Sequence, residues 1–324
     1  MIFDLHCDTL WKIYNTTDEA LQKGSSLQID EEKLTAAGYF AQCFAMYVPA
    51  DTPTPNAVLD GMIDRYYQEI ASCKNLRPVY CFDDFARNKS AGKISAVLTM
   101  EDACPLCGDL KNLQKAHEKS VKMIVLTWNF PNEVGYPNYR DFVRGEKPDM
   151  FTPETERGLT DFGFSLVEEM NRLGMVVDVS HLSDKGFYDV LSVTKKPIMA
   201  SHSNARGVCR NVRNLSDDML KKLAENGGVT GINYAAGFLC ENEQKGRQTI
   251  AYAVEHIRYV RDKIGIEHIA LGSDFDGIQR DIELCDCSQT PLLLHALEKS
   301  GFTTDEIEKL AYKNALRVFK ESMR

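Results

Sequence analysis

Histidine and carboxylate residues follow several apolar runs of this chain, and these are the residue types that bind metal ions. His6 and Asp8 end the first run, and His181 and His202 end two later ones. Such side chains are unfavourable in a buried β-strand unless they are paired or coordinate an ion. Their repeated placement predicts a metal centre assembled where several strands end.

Two more apolar runs end in carboxylates, Glu101 and Asp274. His6 and Asp8 are two positions apart, so they face the same side of a strand and can bind one ion together. Three imidazoles and at least two carboxylates exceed the three protein ligands of a usual catalytic zinc. The surplus predicts two ions bridged by a carboxylate, with Glu101 as the best candidate bridge. Imidazole-rich ligation favours Zn²⁺ over Mn, Co or Fe, which stay compatible with the site.

Eight short apolar runs are the candidate strands that would position these residues, and helical patterns separate most of them. The runs are apolar on both faces, as is typical of strands buried in a parallel sheet. Strand–helix alternation repeated eight times predicts an α/β fold, the (β/α)₈ TIM barrel, in which residues past the strand ends converge on one pocket. The predicted strands are Ile2–His6, Tyr39–Met46, Ile94–Met100, Lys122–Thr127, Met175–Ser180, Pro197–Ser201, Val229–Asn233 and His268–Gly272.

Helix signals agree with this alternation. Gly174 suits a helix C-cap, Ser216 an N-cap, and Thr303 the start of a capping box. The predicted helices are Leu59–Ser72, Asp161–Leu173, Ser183–Leu191, Ser216–Asn226, Ile250–Lys263, Gln289–Ser300 and Thr304–Phe319. The other histidines fall in helical or surface patterns and are interpreted as structural: His117, His256, His268 and His295.

Two long polar segments, near 11–37 and 128–160, interrupt the repeat. Loops of that length in a compact domain are usually functional, and the second follows the fourth predicted strand, on the C-terminal face. The chain has 324 residues. A barrel of this length commonly forms one unit, so a single domain over 1–324 is expected.

The composition excludes several classes of protein. The net charge of −9 and the absence of a Lys/Arg run argue against nucleic-acid binding. The sequence shows neither an apolar run long enough for a membrane span nor a signal-peptide pattern, and a membrane partner is not expected. Ten cysteines in such a chain predict reduced thiols and a cytoplasmic location. The Cys104/Cys107 pair lacks a matching second pair, so it is interpreted as ordinary thiols.

At the candidate ligand positions the chain resembles the renal (membrane) dipeptidase family of zinc peptidases, family M19, which has a metal-dependent amidohydrolase-like barrel. The likeness covers residues 4–277, and 314–319 resemble the family's C-terminal helix. Each motif is weak alone, but their order and spacing are specific. The matching motifs are Asp4-Leu-His-Cys-Asp8, Met100-Glu101, Val177-Asp-Val-Ser-His181, Ser201-His-Ser-Asn204, Arg213-Asn214 and Gly272-Ser-Asp-Phe-Asp-Gly277.

The resemblance implies a role for each matching ligand. His6 and Asp8 would hold one zinc ion, and His181 and His202 the other. Glu101 would bridge the two ions.

The resemblance also implies roles toward the substrate. Asp274 would contact the free amine and serve in proton transfer. Arg213 would bind the terminal carboxylate, a role that suits guanidinium because it grips a carboxylate at two points. Arg206 and Arg210 fit less well, because they lie outside the Arg213-Asn214 motif that carries the resemblance.

Trp128 departs from the family, which often has a histidine at this position in a Leu-Thr-His-like stretch. Tryptophan has one N–H donor and cannot carry charge. Two roles stay open for it: a hydrogen bond to the developing oxyanion of a bound substrate, or packing, with the metals alone stabilising the oxyanion.

The sequence therefore predicts an enzyme, a dizinc dipeptidase whose metal-bridging hydroxide attacks free-ended dipeptides while Asp274 moves the proton. Acceptance of L-D dipeptides is implied by the resemblance alone. One alternative is another hydrolase activity on the same centre, toward a lactone, an N-acyl amino acid or a β-lactam. The other is a catalytically silent barrel, which Trp128 keeps open. The expected partner is a small peptide; a homodimer is compatible, but no face is indicated for it.

Overall fold

The computed structural model describes residues 1–16, 20–22 and 26–323. Nine parallel strands lie in this part of the chain: β1 (Ile2–Asp4), β2 (Tyr39–Tyr47), β3 (Leu76–Pro78), β4 (Ile94–Glu101), β5 (Met123–Val125), β6 (Val176–Asp178), β7 (Met199–Ala200), β8 (Val229–Ile232) and β9 (Ile269–Leu271). Their order is β2-β1-β9-β8-β7-β6-β5-β4-β3, and β2 also pairs with β4. That last pairing closes eight strands into a barrel, and the predicted TIM-barrel fold is confirmed.

Each predicted strand overlaps an observed one, β2 and β4 each extend one residue beyond the predicted end, and the addition is β3. This strand pairs with the first residues of β4, outside the closed ring. Its sequence, Leu-Arg-Pro, has one buried residue. A strand so short has no apolar run, which is why the pattern did not predict it.

Helices follow most of the strands and pack outside the barrel. Ser216 and Thr303 are N-caps, the latter in a capping box, and Gly174 ends a helix in the left-handed conformation, all as predicted. The helices are α1 (Thr9–Asn15), α2 (Glu31–Ala36), α3 (Pro55–Ser72), α4 (Asp83–Ser90), α5 (Leu110–Glu118), α6 (Asp161–Leu173), α7 (Asp184–Val193), α8 (Asp217–Glu225), α9 (Ala236–Leu239), α10 (Glu243–Gly246), α11 (Thr249–Ile264), α12 (Thr290–Lys299), α13 (Thr304–Glu308) and α14 (Asn314–Ser322). A π-helical turn, Lys309–Lys313, joins α13 to α14.

The N-terminal end of the barrel is filled with apolar side chains. Phe3 of β1 stacks on Phe319 of α14 with ring centroids 5.5 Å apart, and Val176, Met199 and Val229 belong to the same buried cluster. The predicted ligands lie past the opposite end of the barrel, where the strands finish.

The two long segments differ in structure. Segment 11–37 contains most of α1 and all of α2, and its positions 17–19 and 23–25 lie outside the described residues. It is tied to the barrel by Asp276, whose backbone N–H donates to Gln28 Oε1 at 2.6 Å and whose Oδ1 accepts from the Gln28 N–H at 2.8 Å. Segment 128–160 is irregular, without a helix or a strand, and all of it is described.

All ten cysteines lie in the described part of the chain, and none is in a disulfide. Cys104 is buried and Cys107 exposed. Across the described ranges, no helix is long and apolar enough to cross a membrane.

Candidate metal centre and active site

The C-terminal ends of the strands bring the predicted ligands together. Glu101, the last residue of β4, lies at the centre, with its Oε1 3.6 Å from His6 Nε2, 3.1 Å from His181 Nε2 and 3.6 Å from His202 Nε2. Asp8 Oδ2 is 3.6 Å from His6 Nε2. All five predicted ligands therefore meet in one cluster.

Two overlapping groups in this cluster have ligand atoms within 4.8 Å of one another. They are His6, Glu101 and His202, and His6, Asp8 and Asp274. Because the two groups share His6, they form one compact site. This site has more ligand atoms than a single ion needs.

Buried aspartates that the sequence analysis did not select set the turns that carry the ligands. Asp4 Oδ1 accepts from the backbone N–H of His6 at 3.1 Å and of Ser273 at 3.0 Å, which ties β1 to the segment after β9. Asp178 Oδ1 accepts from the N–H of Ser201 at 3.0 Å and ties β6 to the segment after β7. An aspartate two residues before a turn N–H is a recognisable signal for such a turn.

The imidazole pair is oriented for metal binding. The Nδ1 of His181 lies 2.8 Å from Asn129 Oδ1, and the Nδ1 of His202 lies 2.7 Å from Ser201 Oγ. Because an amide oxygen only accepts, His181 carries its proton on Nδ1 and directs the lone pair of Nε2 inward. The two Nε2 atoms are 2.9 Å apart, and Glu101 lies beside both.

Several buried polar atoms of the cluster have no hydrogen-bond partner among the described residues. They are both ring nitrogens of His6 and Oδ1 of Asp8. Buried polar atoms are otherwise nearly always satisfied, and coordination of a cation satisfies such nitrogen and oxygen donors. The residues present therefore fit a divalent metal ion.

The pKa shifts agree with a cation site. Burial lowers the pKa of His181 and of His202 well below the ordinary value, so both rings are neutral, the form that binds metals. Burial also opposes the charge on His6, but Glu101 and then Asp8 outweigh it and raise the pKa of His6 to about 10. This acidic environment attracts positive charge.

Asp274 lies at the edge of the cluster, with Oδ1 3.9 Å from His6 Nε2 and its side chain 15% exposed. Its Oδ2 accepts from Asn233 Nδ2 at 2.9 Å, a partner that sequence reasoning missed. Burial, and then the charge of Asp8, raises the pKa of Asp274 to about 7. Such a value suits a group that both takes and gives a proton near neutral pH.

Gly277 approaches these carboxylates so closely that no side chain fits. A Cβ at this position would lie 2.0 Å from Asp8 Oδ2 and 2.7 Å from Asp274 Oδ1. Glycine is therefore required at position 277, because the carboxylates of Asp8 and Asp274 occupy the space that a side chain would need.

Arg213 reaches the same pocket and is 3% exposed. Its Nη1 lies 3.5 Å from Ser203 Oγ, and its guanidinium carbon lies 5.4 Å from the centre of the Phe238 ring. Within the described chain, its Nε and Nη2 have no hydrogen-bond partner. A buried guanidinium with two unused donors is an anion-binding group.

The neighbouring arginines are engaged elsewhere. Arg206 makes two bonds to Asp184, at 2.7 and 2.8 Å, and Arg210 is exposed and bonds to Glu241 at 2.9 Å. Arg213 is thus the arginine of this segment that faces the pocket.

Aromatic rings form one wall of the pocket, a cavity of about 610 Å³. Trp128 packs on Tyr47 with ring centroids 4.8 Å apart, and Trp11 contacts Tyr47 edge-on at 5.5 Å. Trp128 also lies 6.3 Å from the His181 ring. The residue that departs from the predicted family pattern is therefore in the pocket, and it is packed among rings.

Comparison with known proteins decides the family. The family model for membrane dipeptidases, peptidase family M19, matches residues 1–324. The chain belongs to peptidase family M19. This family consists of metallo-dipeptidases, so the predicted resemblance and the predicted enzyme class are confirmed.

Relatives and solved structures agree with membership of family M19. An uncharacterised protein in the pqqA 5′ region of Klebsiella pneumoniae is 34% identical over 80% of this chain and 96% of its own length. An uncharacterised dipeptidase of Schizosaccharomyces pombe is 36% identical over an aligned region that covers 86% of this chain and 65% of that protein. A Rhodobacter sphaeroides metallopeptidase, solved with a phosphinate mimic of the dipeptide L-Ala-D-Ala, is 26% identical over 99% of both chains, with a TM-score of 0.88.

Proposed function

We propose that this chain is a dinuclear zinc dipeptidase acting on dipeptides with both ends free. The observation that carries the proposal is the pairing of Arg213 and Asp274 around the ligand cluster. Arg213 offers two unused buried donors, and Asp274 offers a carboxylate beside His6. A dipeptide has the complementary charges, a carboxylate and an ammonium group, a short distance either side of its peptide bond.

The ligand geometry supports two ions. His6 and Asp8 would hold one zinc ion and His181 and His202 the other, with Glu101, whose Oε1 is within 3.6 Å of all three imidazoles, between them. When bound, two zinc ions supply hydroxide from water near neutral pH and polarise the scissile carbonyl.

The chain's own residues would do the rest. Arg213 would bind the substrate carboxylate and hold the peptide bond over the cluster. The substrate would then lose its translational and rotational freedom on binding, so the reaction step would not require that loss again. Asp274 would bind the free amine through its carboxylate. It would also take a proton from the nucleophilic water and deliver it to the leaving nitrogen, while Asn233 holds its Oδ2 in place.

The aromatic wall indicates the preferred side chain. The carboxylate and amine anchors follow β7 and β9, whereas the rings of the wall come from α1, β2 and the segment after β5. In the closed ring, β6 to β9 form one half and β1, β2, β4 and β5 form the other. The two anchors therefore belong to the first half and the aromatic rings to the second. With the two anchors engaged, the side chain of the N-terminal substrate residue would face Trp11, Tyr47 and Trp128. Dipeptides with a large apolar N-terminal residue are therefore the favoured substrates.

The stereochemistry of the second residue is a separate part of the proposal. The Rhodobacter sphaeroides metallopeptidase was solved with a mimic of L-Ala-D-Ala. That likeness supports including L-D dipeptides among the substrates of this chain.

Hydrolysis of a dipeptide panel tests the proposal. The panel would hold L-L and L-D pairs and their N-acetyl and C-amide derivatives, assayed with protein as purified, after chelation and after zinc return. We expect cleavage that requires two zinc ions per chain and both free ends. Cleavage of blocked substrates, of lactones or of β-lactams in preference to dipeptides would replace the proposal with another hydrolase activity. No hydrolysis with two zinc ions bound would favour a catalytically silent barrel.

A further inference from the structure

Asn129 is the first polar residue of the long segment after β5, and its side chain reaches a metal-ligand candidate. Its Oδ1 lies 2.8 Å from His181 Nδ1. Asn129 is partly buried and lines the pocket. The sequence analysis assigned it no role.

The backbone around Asn129 is well fixed. Asn132 Nδ2 donates to Asp102 Oδ1 at 2.6 Å and to the Leu126 carbonyl at 2.9 Å. Nine residues after Asn129, the N–H of Asn138 donates to the backbone carbonyl of His181 at 2.9 Å. The segment 129–138 therefore holds His181 at two points, the ring and the backbone.

His181 needs this support because its own conformation is unusual. Its φ is +68°, in the left-handed region that non-glycine residues rarely adopt. Its ring has two tautomers, and only the form with the proton on Nδ1 leaves Nε2 free to coordinate an ion. The acceptor at Asn129 selects that form, as groups that accept from a metal-binding histidine commonly do.

We propose that Asn129 is the positioning residue of the metal site formed by His181 and His202. Its amide oxygen fixes the tautomer and orientation of His181 and so sets the zinc affinity of that site. The inference rests on the two-ion part of the proposed function. It assigns to the first residues of the long segment a share in metal binding as well as in lining the pocket.

Zinc titration of the apo-protein, with a chromophoric competitor that resolves two dissociation constants, tests this. The variants are Asn129→Leu, which removes the acceptor at similar size, and Asn129→Asp, which keeps an acceptor. Val143→Ala is the matched control, because Val143 is an exposed residue of the same segment. Thermal unfolding of each apo-variant shows whether it folds as the parent does.

For Asn129→Leu we expect one zinc dissociation constant to rise about 10- to 100-fold and the other to change by less than about 3-fold. Asn129→Asp should restore the weakened site, and Val143→Ala should match the parent. The absorption spectrum of the Co²⁺-substituted protein should change in one of its two components. Equal weakening of both sites, or no weakening, would overturn the inference.

The same titration separates this inference from the proposed function. If the parent binds a single zinc ion, both the dinuclear proposal and the role of Asn129 fail. If the parent binds two ions with the expected Asn129 effect but cleaves no dipeptide, the positioning role stands and the dipeptidase proposal fails.

Discussion

The two imidazoles that face each other in the cluster are held by different parts of the molecule. His202 is held by the barrel: its Nδ1 contacts Ser201 Oγ at 2.7 Å, and its backbone N–H donates to Ser180 Oγ at 3.2 Å. His181 is held by the long segment after β5, through Asn129 at its ring and Asn138 at its backbone. One ligand thus depends on the sheet and the other on a loop.

This difference suggests a division of work. Residues at strand ends, such as His6 and Glu101, are fixed by closed sheet pairing and belong to the candidate metal centre. The segment 128–160 contributes Trp128, Asn129 and Tyr139 to the same pocket. Loops accept sequence change more readily than strands, so the positions of this segment that do not contact His181 are where substrate preference could change without loss of the metals. The predictions that follow test the division.

Glu101→Gln should have the largest effect on metal binding and activity, since Glu101 lies at the centre of the cluster that the barrel strands hold. The carboxylate lies within 3.6 Å of three imidazoles, and a neutral amide would remove the charge shared by both metal positions. We expect loss of at least one zinc ion and a fall in kcat of at least about 10³-fold. Zinc content by mass spectrometry and dipeptide hydrolysis would measure both. Glu133→Gln, an exposed carboxylate on the loop, is the control, and a Glu101→Gln protein that kept both ions and its activity would refute the assignment.

Arg213→Met should have the next largest effect, and one that depends on the substrate. The variant loses the buried donors proposed to bind the carboxylate, so kcat/KM for free dipeptides should fall about 10²-fold. Dipeptide amides, which have no carboxylate, should be poor substrates of the parent, and their residual kcat/KM should be the same in the variant. Arg210→Met removes a nearby exposed arginine and should leave both substrates unaffected. An equal fall in kcat/KM for both kinds of substrate would mean that Arg213 supports the fold and does not bind the substrate carboxylate.

Trp128→Ala tests the loop side of the comparison and should have a smaller effect. Removal of the ring opens the wall beside Tyr47, so kcat/KM should fall about 10-fold for Phe- or Leu-initiated dipeptides relative to Gly-initiated ones. Zinc content should not change. Equal losses on all dipeptides would point instead to the other role open to Trp128, a hydrogen bond to the oxyanion that develops at the reacting carbonyl.

The sequence was sufficient to predict the barrel and to select the ligands, for one physical reason. Buried parallel strands appear in a sequence as apolar runs, and the coincidence of histidines and carboxylates at the ends of five such runs predicts a shared site, although a single one would not. The five candidate ligands His6, Asp8, Glu101, His181 and His202 came from that signal, and the structure brings all five together.

The supporting residues could not be selected in the same way. Asn129 and Asn233 contact His181 and Asp274, partners that lie 52 and 41 residues away in the chain. Asparagine is common in loops, so its presence there predicts a turn and not a partner. Asp4 and Asp178 could have been selected from the sequence, since each precedes a turn with a candidate ligand by two or three residues. They were overlooked because the neighbouring histidines account for the same motifs.

The smallest predicted effect concerns a histidine of α11 that lies outside the ligand cluster. His256 is buried; its Nδ1 accepts from the Ala205 N–H at 3.2 Å and its Nε2 donates to the Leu239 carbonyl at 3.0 Å. Burial lowers the pKa of His256 from the ordinary 6.5 to about 4, although the bond to the Leu239 carbonyl acts in the opposite direction. The bond from the Ala205 N–H requires the neutral ring, because Nδ1 accepts it. The unfolded chain therefore binds this proton more readily than the folded one. The stability that depends on the neutral ring is complete above about pH 6.5 and declines as the pH falls toward 4.

Between pH 7.5 and 5.5 this histidine should lower the free energy of unfolding by about 1 kcal/mol. Urea unfolding of the apo-protein at the two pH values measures it, because apo-protein removes the coupling of metal binding to pH. In His256→Gln, whose amide can still accept and donate but does not titrate, the difference between the two pH values should shrink by that amount. The exposed His295→Gln should retain the parent difference. If His256→Gln and the parent lose the same stability, the pH dependence of the barrel arises at other residues, and the neutral histidine under the Ala205 turn is not its source.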